Sequence, residues 1–164
     1  MNWEAIGAIG EIVGALAVVL TLVYLAYQVR YAKTATVDQN RLTRSTAIRE
    51  IINTMITNEE LRVGQMKNWG LEGYYDTVAS ELGVSAAEAS RNEWANAYYF
   101  WTYWGQWRST HGEHDRAELE HIIPLLFSMP GVRHTWDKSP LGKALMDEGF
   151  VEFVDGIIAR ELEG

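Results

Sequence analysis

Residues Ile12 to Val29 read IVGALAVVLTLVYLAYQV, eighteen residues without a formal charge. At about 1.5 Å per residue, a helix of this length spans roughly 27 Å, close to the hydrocarbon thickness of a bilayer. The stretch is therefore expected to be a single transmembrane helix within a segment 1–30. The flanking charges give it a direction. Glu4 and Glu11 precede it without any Lys or Arg, whereas Arg30, Lys33, Arg41, Arg44 and Arg49 follow it against only Asp38 and Glu50. Positive charge stays on the cytoplasmic side of a plasma membrane, which places the N-terminus outside and the bulk of the chain in the cytoplasm. The start has neither the basic residues nor the small-residue cleavage site of a secretory signal. The competing reading is a buried core helix, and an uncharged run of this length with opposite charge signs at its ends argues against it.

The small residues of this segment are ordered. Gly7, Gly10, Gly14, Ala17 and Thr21 follow a 3-4-3-4 spacing and include a GxxxG. On a helix they fall in one stripe about 80° wide. Small residues let helix backbones approach closely in lipid, so this stripe is the expected interface of a homo-oligomer. Glu4 and Glu11 lie on the neighbouring line. A carboxylate within a membrane helix faces protein or water rather than lipid, and in an oligomer Glu11 would repeat as a ring near the outer mouth. These two acids are the ion or pore candidates of a cation-selective channel. The plainer alternative is hydration at the outer headgroup level.

The segment GAIGEIVGALAVVLTLVYLAYQVR, residues 7–30, is followed much later by PGVRHTW, residues 130–136. Together they resemble a broad family of small bacterial membrane proteins. Its members open with a similar apolar Gly-Glu-Val/Ile-Gly helix ending in Gln-x-Arg, and carry an aromatic-rich middle and a Pro-Gly-x-Arg-x-x-Trp motif near the end. The resemblance implies an inner-membrane location and brings no activity with it.

A chain of 164 residues holds one anchor and one domain of roughly 120 residues. The net charge is −8, unevenly placed. Residues 30–50 are net +3, where anionic lipid headgroups would favour them, and residues 51–164 carry nine basic against eighteen acidic groups. An acidic domain argues against nucleic acid as a partner. The absence of cysteine excludes disulfides, thiolate metal sites and cysteine nucleophiles. The partners expected are membrane lipid, further copies of the same chain and, if a pore forms, a cation.

No glycine lies between Gly14 and Gly64, and no proline before Pro124. The first helix is therefore expected to run on to about residue 57, with Tyr24, Tyr27 and Tyr31 at the membrane interface. Thr34 to Thr36 is its weakest point. Thr57-Asn58-Glu59-Glu60 and Ser85-Ala86-Ala87-Glu88 read as capping boxes, opening a short helix to Lys67 and a long one to Ser109. Between them Tyr74 to Leu82 is a short helix stopped by Gly83.

From Trp94 to Trp107, eight of fourteen residues are aromatic. Trp94, Tyr98, Trp101, Trp104 and Trp107 head this cluster, which covers most of a helix circumference. It reads as a core helix wrapped by neighbours, a subunit interface or an apolar ligand pocket. Asp115 is expected to cap a helix through Phe127, with His114, Glu118 and His121 on a solvated face rather than around a metal. Pro130-Gly131 reads as a turn, Ser139-Pro140 as the start of a helix, and Phe150 to Ile158 as the apolar stripe of the last one.

The expected fold is all-α, with three sections: a transmembrane helix over 1–30, a juxtamembrane helical extension over 31–57 and a cytoplasmic helical domain over 58–164. No residues stand at the spacing of a nucleophile–base pair, a phosphate loop or a metal centre, so no catalytic residue, metal or cofactor is assigned and the chain is not read as an enzyme. The function expected is that of a membrane-anchored homo-oligomeric scaffold or binding module, with an ion channel as the alternative.

Overall fold

The computed structural model describes residues 2–109 and 112–162; the side chains of residues 5, 6 and 113–115 lie outside that description. The fold is all-α. Among the described residues seven helices follow in order: α1 Trp3–Thr57, α2 Glu59–Asn68, α3 Glu72–Leu82, α4 Ala86–Ser109, α5 Glu113–Phe127, α6 Pro130–Lys138 and α7 Glu148–Glu161, with a 3-10 turn at Lys143–Leu145. No strand occurs among the described residues. The chain divides into two compact units, one up to Asn40 and one from Arg41 onward.

The first unit is helix alone. Its large hydrophobic residues from Ile12 to Val29 are each 48–69% exposed. This is an apolar helix of membrane-spanning length with none of that length buried in the protein. It runs unbroken through Thr34 and Thr36, its weakest point by sequence, to Thr57 as expected. Thr34 Oγ1 donates to the Arg30 carbonyl (3.2 Å) and Thr36 Oγ1 to that of Ala32 (2.9 Å), so the hydroxyls bond back onto the helix instead of competing with it.

The second unit is a bundle with α4 at its centre. Phe100 and Trp104 of α4 meet Leu119, Ile123 and Phe127 of α5, Val132 and Trp136 of α6, and Phe150, Val154, Ile157 and Ile158 of α7. Trp94 and Ala97 pack with Ile52 and Met55 of α1 and with Leu141. A third, smaller cluster joins Met66, Tyr75, Val78 and Ala89. The C-terminal part of α1 is drawn into the bundle by a close crossing: Ser45 Oγ donates to the Trp101 carbonyl at 2.8 Å, and a Cβ on Gly105 would stand 2.6 Å from the same Ser45 Oγ. Buried Arg62 closes the end of α1, its Nη1 donating to the carbonyls of Met55 (3.0 Å) and Ile56 (3.2 Å), a positive group at the negative end of a helix.

Helix boundaries follow local chemistry, with four corrections to the sequence reading. The cap of α2 is Asn58, whose Oδ1 accepts from the Leu61 N–H at 2.9 Å, while Thr57 Oγ1 bonds back to Asn53. The cap of α5 is Gly112 rather than Asp115: Glu113 is already helical, so Asp115 lies inside the first turn, its side chain outside the described residues. Pro130 is the first residue of α6 rather than part of a turn, because its fixed φ suits that position and costs no hydrogen bond. Ser139 closes α6 instead of opening a helix. The box at Ser85 forms as expected, with Glu88 N–H donating to Ser85 Oγ (3.2 Å) and Ser85 N–H to Glu88 Oε2 (3.0 Å), and Gly83 ends α3 at φ 68°.

Candidate functional site

A polar cluster lies in the bundle interior where α3, α4 and α6 meet. Glu93, on α4, is 2% exposed. Its neighbours along that face, Ala89, Ala97 and Phe100, are buried apolar residues. A carboxylate here loses its hydration and requires donors. Tyr74 Oη of α3 donates to Glu93 Oε1 at 2.6 Å, and Ser139 Oγ donates to Glu93 Oε2 at 2.7 Å. Short O–H···O⁻ bonds of this kind are the stronger class. His134 of α6 completes the surround: its Nδ1 faces Glu93 Oε1 at 3.8 Å, beyond hydrogen-bond length, and its Nε2 lies 3.3 Å from Glu81 Oε2 of α3. Lys138 Nζ reaches the same Glu81 oxygen at 3.8 Å.

Burial, followed by the hydrogen bond to Glu93, pushes the Tyr74 phenol far above its usual range. Burial and the Glu93 charge do the same to Tyr75. Both phenols therefore stay protonated at any physiological pH, and Tyr74 remains a donor to the carboxylate. What the arrangement does chemically is hold one buried anion among hydroxyls and thereby tie α3 and α6 to α4.

The segment PGVRHTW supplies most of the α6 side. Pro130 starts the helix. The Gly131 carbonyl accepts from Asn96 Nδ2 (3.2 Å) and from Thr135 Oγ1 (2.8 Å), and Thr135 Oγ1 also accepts from Asn96 (2.8 Å). Val132 is buried, and Arg133 pairs with Asp137 at 3.1 Å. Trp136 is fully buried against Phe100, Phe127 and Phe150, with ring centroids 5.1 to 6.0 Å away, while its Nε1 donates to Asp155 at 2.7 Å. Gly142 lies so close beneath the Thr135 and Trp136 carbonyls that any Cβ there would overlap both.

Of the residues singled out from the sequence, the aromatic cluster is drawn inward. Trp94 and Trp104 are buried in two different clusters, and Trp101 packs against both of them. Tyr98 stands beneath the Arg49 guanidinium, 5.8 Å from the ring centre, and Trp107 against Phe150 and Phe153. Gly7, Gly10 and Gly14 meet no neighbouring atom, and Ala17, Thr21, Glu4 and Glu11 are exposed on α1. Glu118 and His121 are exposed on α5; the side chain of His114 lies outside the described residues. Among the described residues no three His, Asp or Glu side chains gather as metal ligands.

Comparison with family models, curated proteins and solved structures finds no match. The site is therefore read from its own geometry. Glu93, His134, Tyr74 and Ser139 are residues that motif reasoning passed over. One signal was available: Glu93 is an acid on the apolar line Ala89–Ala97–Phe100 of a helix, a position where a charge needs a built partner.

Proposed function

We propose that this chain is a single-pass membrane anchor carrying a cytoplasmic helical binding module, working without a reaction of its own. The observation that carries the reading is the exposure of the large apolar side chains all along Ile12–Val29. Exposed Leu, Ile and Val over eighteen consecutive residues are unfavourable in water and favourable in hydrocarbon, by about 0.3–0.6 kcal/mol for each such residue at the membrane centre. The charge asymmetry supports an outside N-terminus and an inside bundle, in the inner membrane of a bacterium as the family resemblance implies. The small-residue stripe supports self-association along α1. The bundle, with its aromatic core and the Glu93 network tying three helices together, is the rigid body that such an anchor would present to a partner or ligand.

Topology is tested with two cysteine variants of a chain that has none of its own. Asn2→Cys should react with a membrane-impermeant thiol reagent on intact cells, and Glu161→Cys only after lysis. The reverse pattern would overturn the orientation. Recovery of the chain in the alkali-soluble fraction would overturn the anchor itself.

A further inference from the structure

His134, on α6, has a carboxylate at each nitrogen of its ring. Nε2 lies 3.3 Å from Glu81 Oε2 near the end of α3, and Nδ1 lies 3.8 Å from Glu93 Oε1 on α4. The His134 side chain is 11% exposed. Its Nδ1 is buried and has no hydrogen-bond partner among the described residues. A neutral imidazole carries one N–H and one lone pair. Either tautomer therefore turns a lone pair toward one of the two acids. The doubly protonated ring offers an N–H to each and sets a positive charge beside the buried Glu93 carboxylate. The other groups around the ring leave this requirement in place. On α6, Lys138 Nζ reaches Glu81 Oε2 at 3.8 Å from an exposed position, and Arg133 pairs with Asp137. On α3, the Tyr74 phenol donates to Glu93 Oε1, and the Tyr75 phenol, facing the same carboxylate, is kept neutral by burial. Beyond α6, Ser139 Oγ donates to Glu93 Oε2.

We propose that His134 is a proton-operated clasp joining α3 and α4 to α6. With the ring charged, one N–H faces Glu93 and the other Glu81. When the ring loses a proton, its remaining N–H serves the buried anion, which has no water to turn to, and a lone pair is left against Glu81. Glu81 is half exposed and can swing into solvent, whereas Glu93 is held by two hydroxyls. The clasp therefore opens at α3. The last turn of that helix is closed by the Gly83 and Val84 N–H groups, both donating to the Ala79 carbonyl, and these bonds report the opening. Histidine changes charge between pH 5 and 8, so the clasp is closed at the acid end of that range and open at the alkaline end. The α3 edge of the bundle thereby responds to proton concentration. Nothing in this depends on the anchor, because Glu81, Glu93 and His134 all belong to the unit from Arg41 onward.

The test is amide hydrogen exchange of the full chain in detergent micelles at pH 5.5 and pH 8, each corrected for the intrinsic exchange rate at that pH. In the wild type, protection of the peptide covering residues 78–84 should fall roughly fivefold from the acid to the alkaline condition, the scale of a half-exposed ion pair. Peptides of α7, which holds no member of the clasp, should keep theirs. His134→Gln and Glu81→Gln should each abolish the step. His121→Gln, at an exposed histidine on α5, should retain it. Glu81 stands at the surface, so Glu81→Gln decides the matter even if the His134→Gln chain does not fold. Wild-type protection that is the same at both pH values, or a step that survives Glu81→Gln, overturns the proposal. The anchor is read separately, by alkali extraction, and neither result touches it.

Discussion

Glu93 has two hydroxyl donors, and each belongs to a different part of the bundle: Tyr74 to α3, and Ser139 to the end of α6. Removing one leaves a buried carboxylate short of a partner, which typically costs about 1.5–3 kcal/mol. Tyr74→Phe should therefore lower the urea midpoint followed by tryptophan fluorescence, while Tyr99→Phe, at an exposed ring, should leave it in place. Matching midpoints would mean that the carboxylate is satisfied without Tyr74. A second residue-scale expectation concerns acid. Burial would raise the Asp137 carboxyl, but the hydrogen bonds and charges of Lys143 and Arg133 outweigh it and hold the group below its usual range. A group held lower in the folded state contributes stability above its unfolded pKa and loses it as the pH falls through the folded one. The stability difference between wild type and Asp137→Asn should thus be present at neutral pH and disappear in strong acid. A difference that grew on acidification would contradict that sign.

At the scale of elements, α6 ties the polar network around Glu93 to the aromatic core. It holds the buried Trp136, the Asn96 and Ser139 contacts to α4, and the two carbonyls that Gly142 underlies. Backbone carbonyls cannot rotate aside as a side chain can, so Gly142→Ala forces the following turn away from α6. The expected loss is about 1–3 kcal/mol, the range for overpacking. Gly131→Ala, where a Cβ meets nothing, is the matched control and should stay within a few tenths of the wild type. Thermal unfolding of the two variants decides it, and equal melting temperatures would show that the turn after α6 yields freely. This element also marks where sequence reading falls short. Pro130-Gly131 carries the residue types of a turn, yet the same proline is well suited to a first helical position; packing of Val132, Thr135 and Trp136 against α4 and its neighbours selects the helix.

For the molecule as a whole, α1 raises the question of what covers its small-residue line. Within one chain a Cβ at Gly14 meets no atom. Any sensitivity of this position therefore reports a second copy or the lipid, not the fold. If the stripe is the contact, Gly14→Leu should shift the detergent-solubilised complex toward smaller species on cross-linking, while Val19→Leu, away from the stripe, should not. Equal behaviour of the two variants would assign assembly elsewhere. The bundle should keep its unfolding midpoint in both, because the α1 residues up to Asn40 belong to a separate compact unit.

The membrane-length helix was legible from residues alone, because its determinant is local: eighteen uncharged, mostly apolar residues without proline, bounded by acids before and bases after. The Ser85–Glu88 box and the Gly83 stop were legible for the same reason, since each depends on neighbours within four positions. The partition of the aromatic residues of α4 was not. Trp94, Trp101 and Trp104 look alike in sequence, and only the positions of α1, α5, α6 and α7 decide which core each one enters. The Glu93 network was hidden more deeply. Its members come from positions 74, 81, 93, 134 and 139, and no spacing along the chain relates them. A buried charge is stabilised by whatever donors the fold brings within about 3 Å, and that distance is a property of the packed helices rather than of the order of residues.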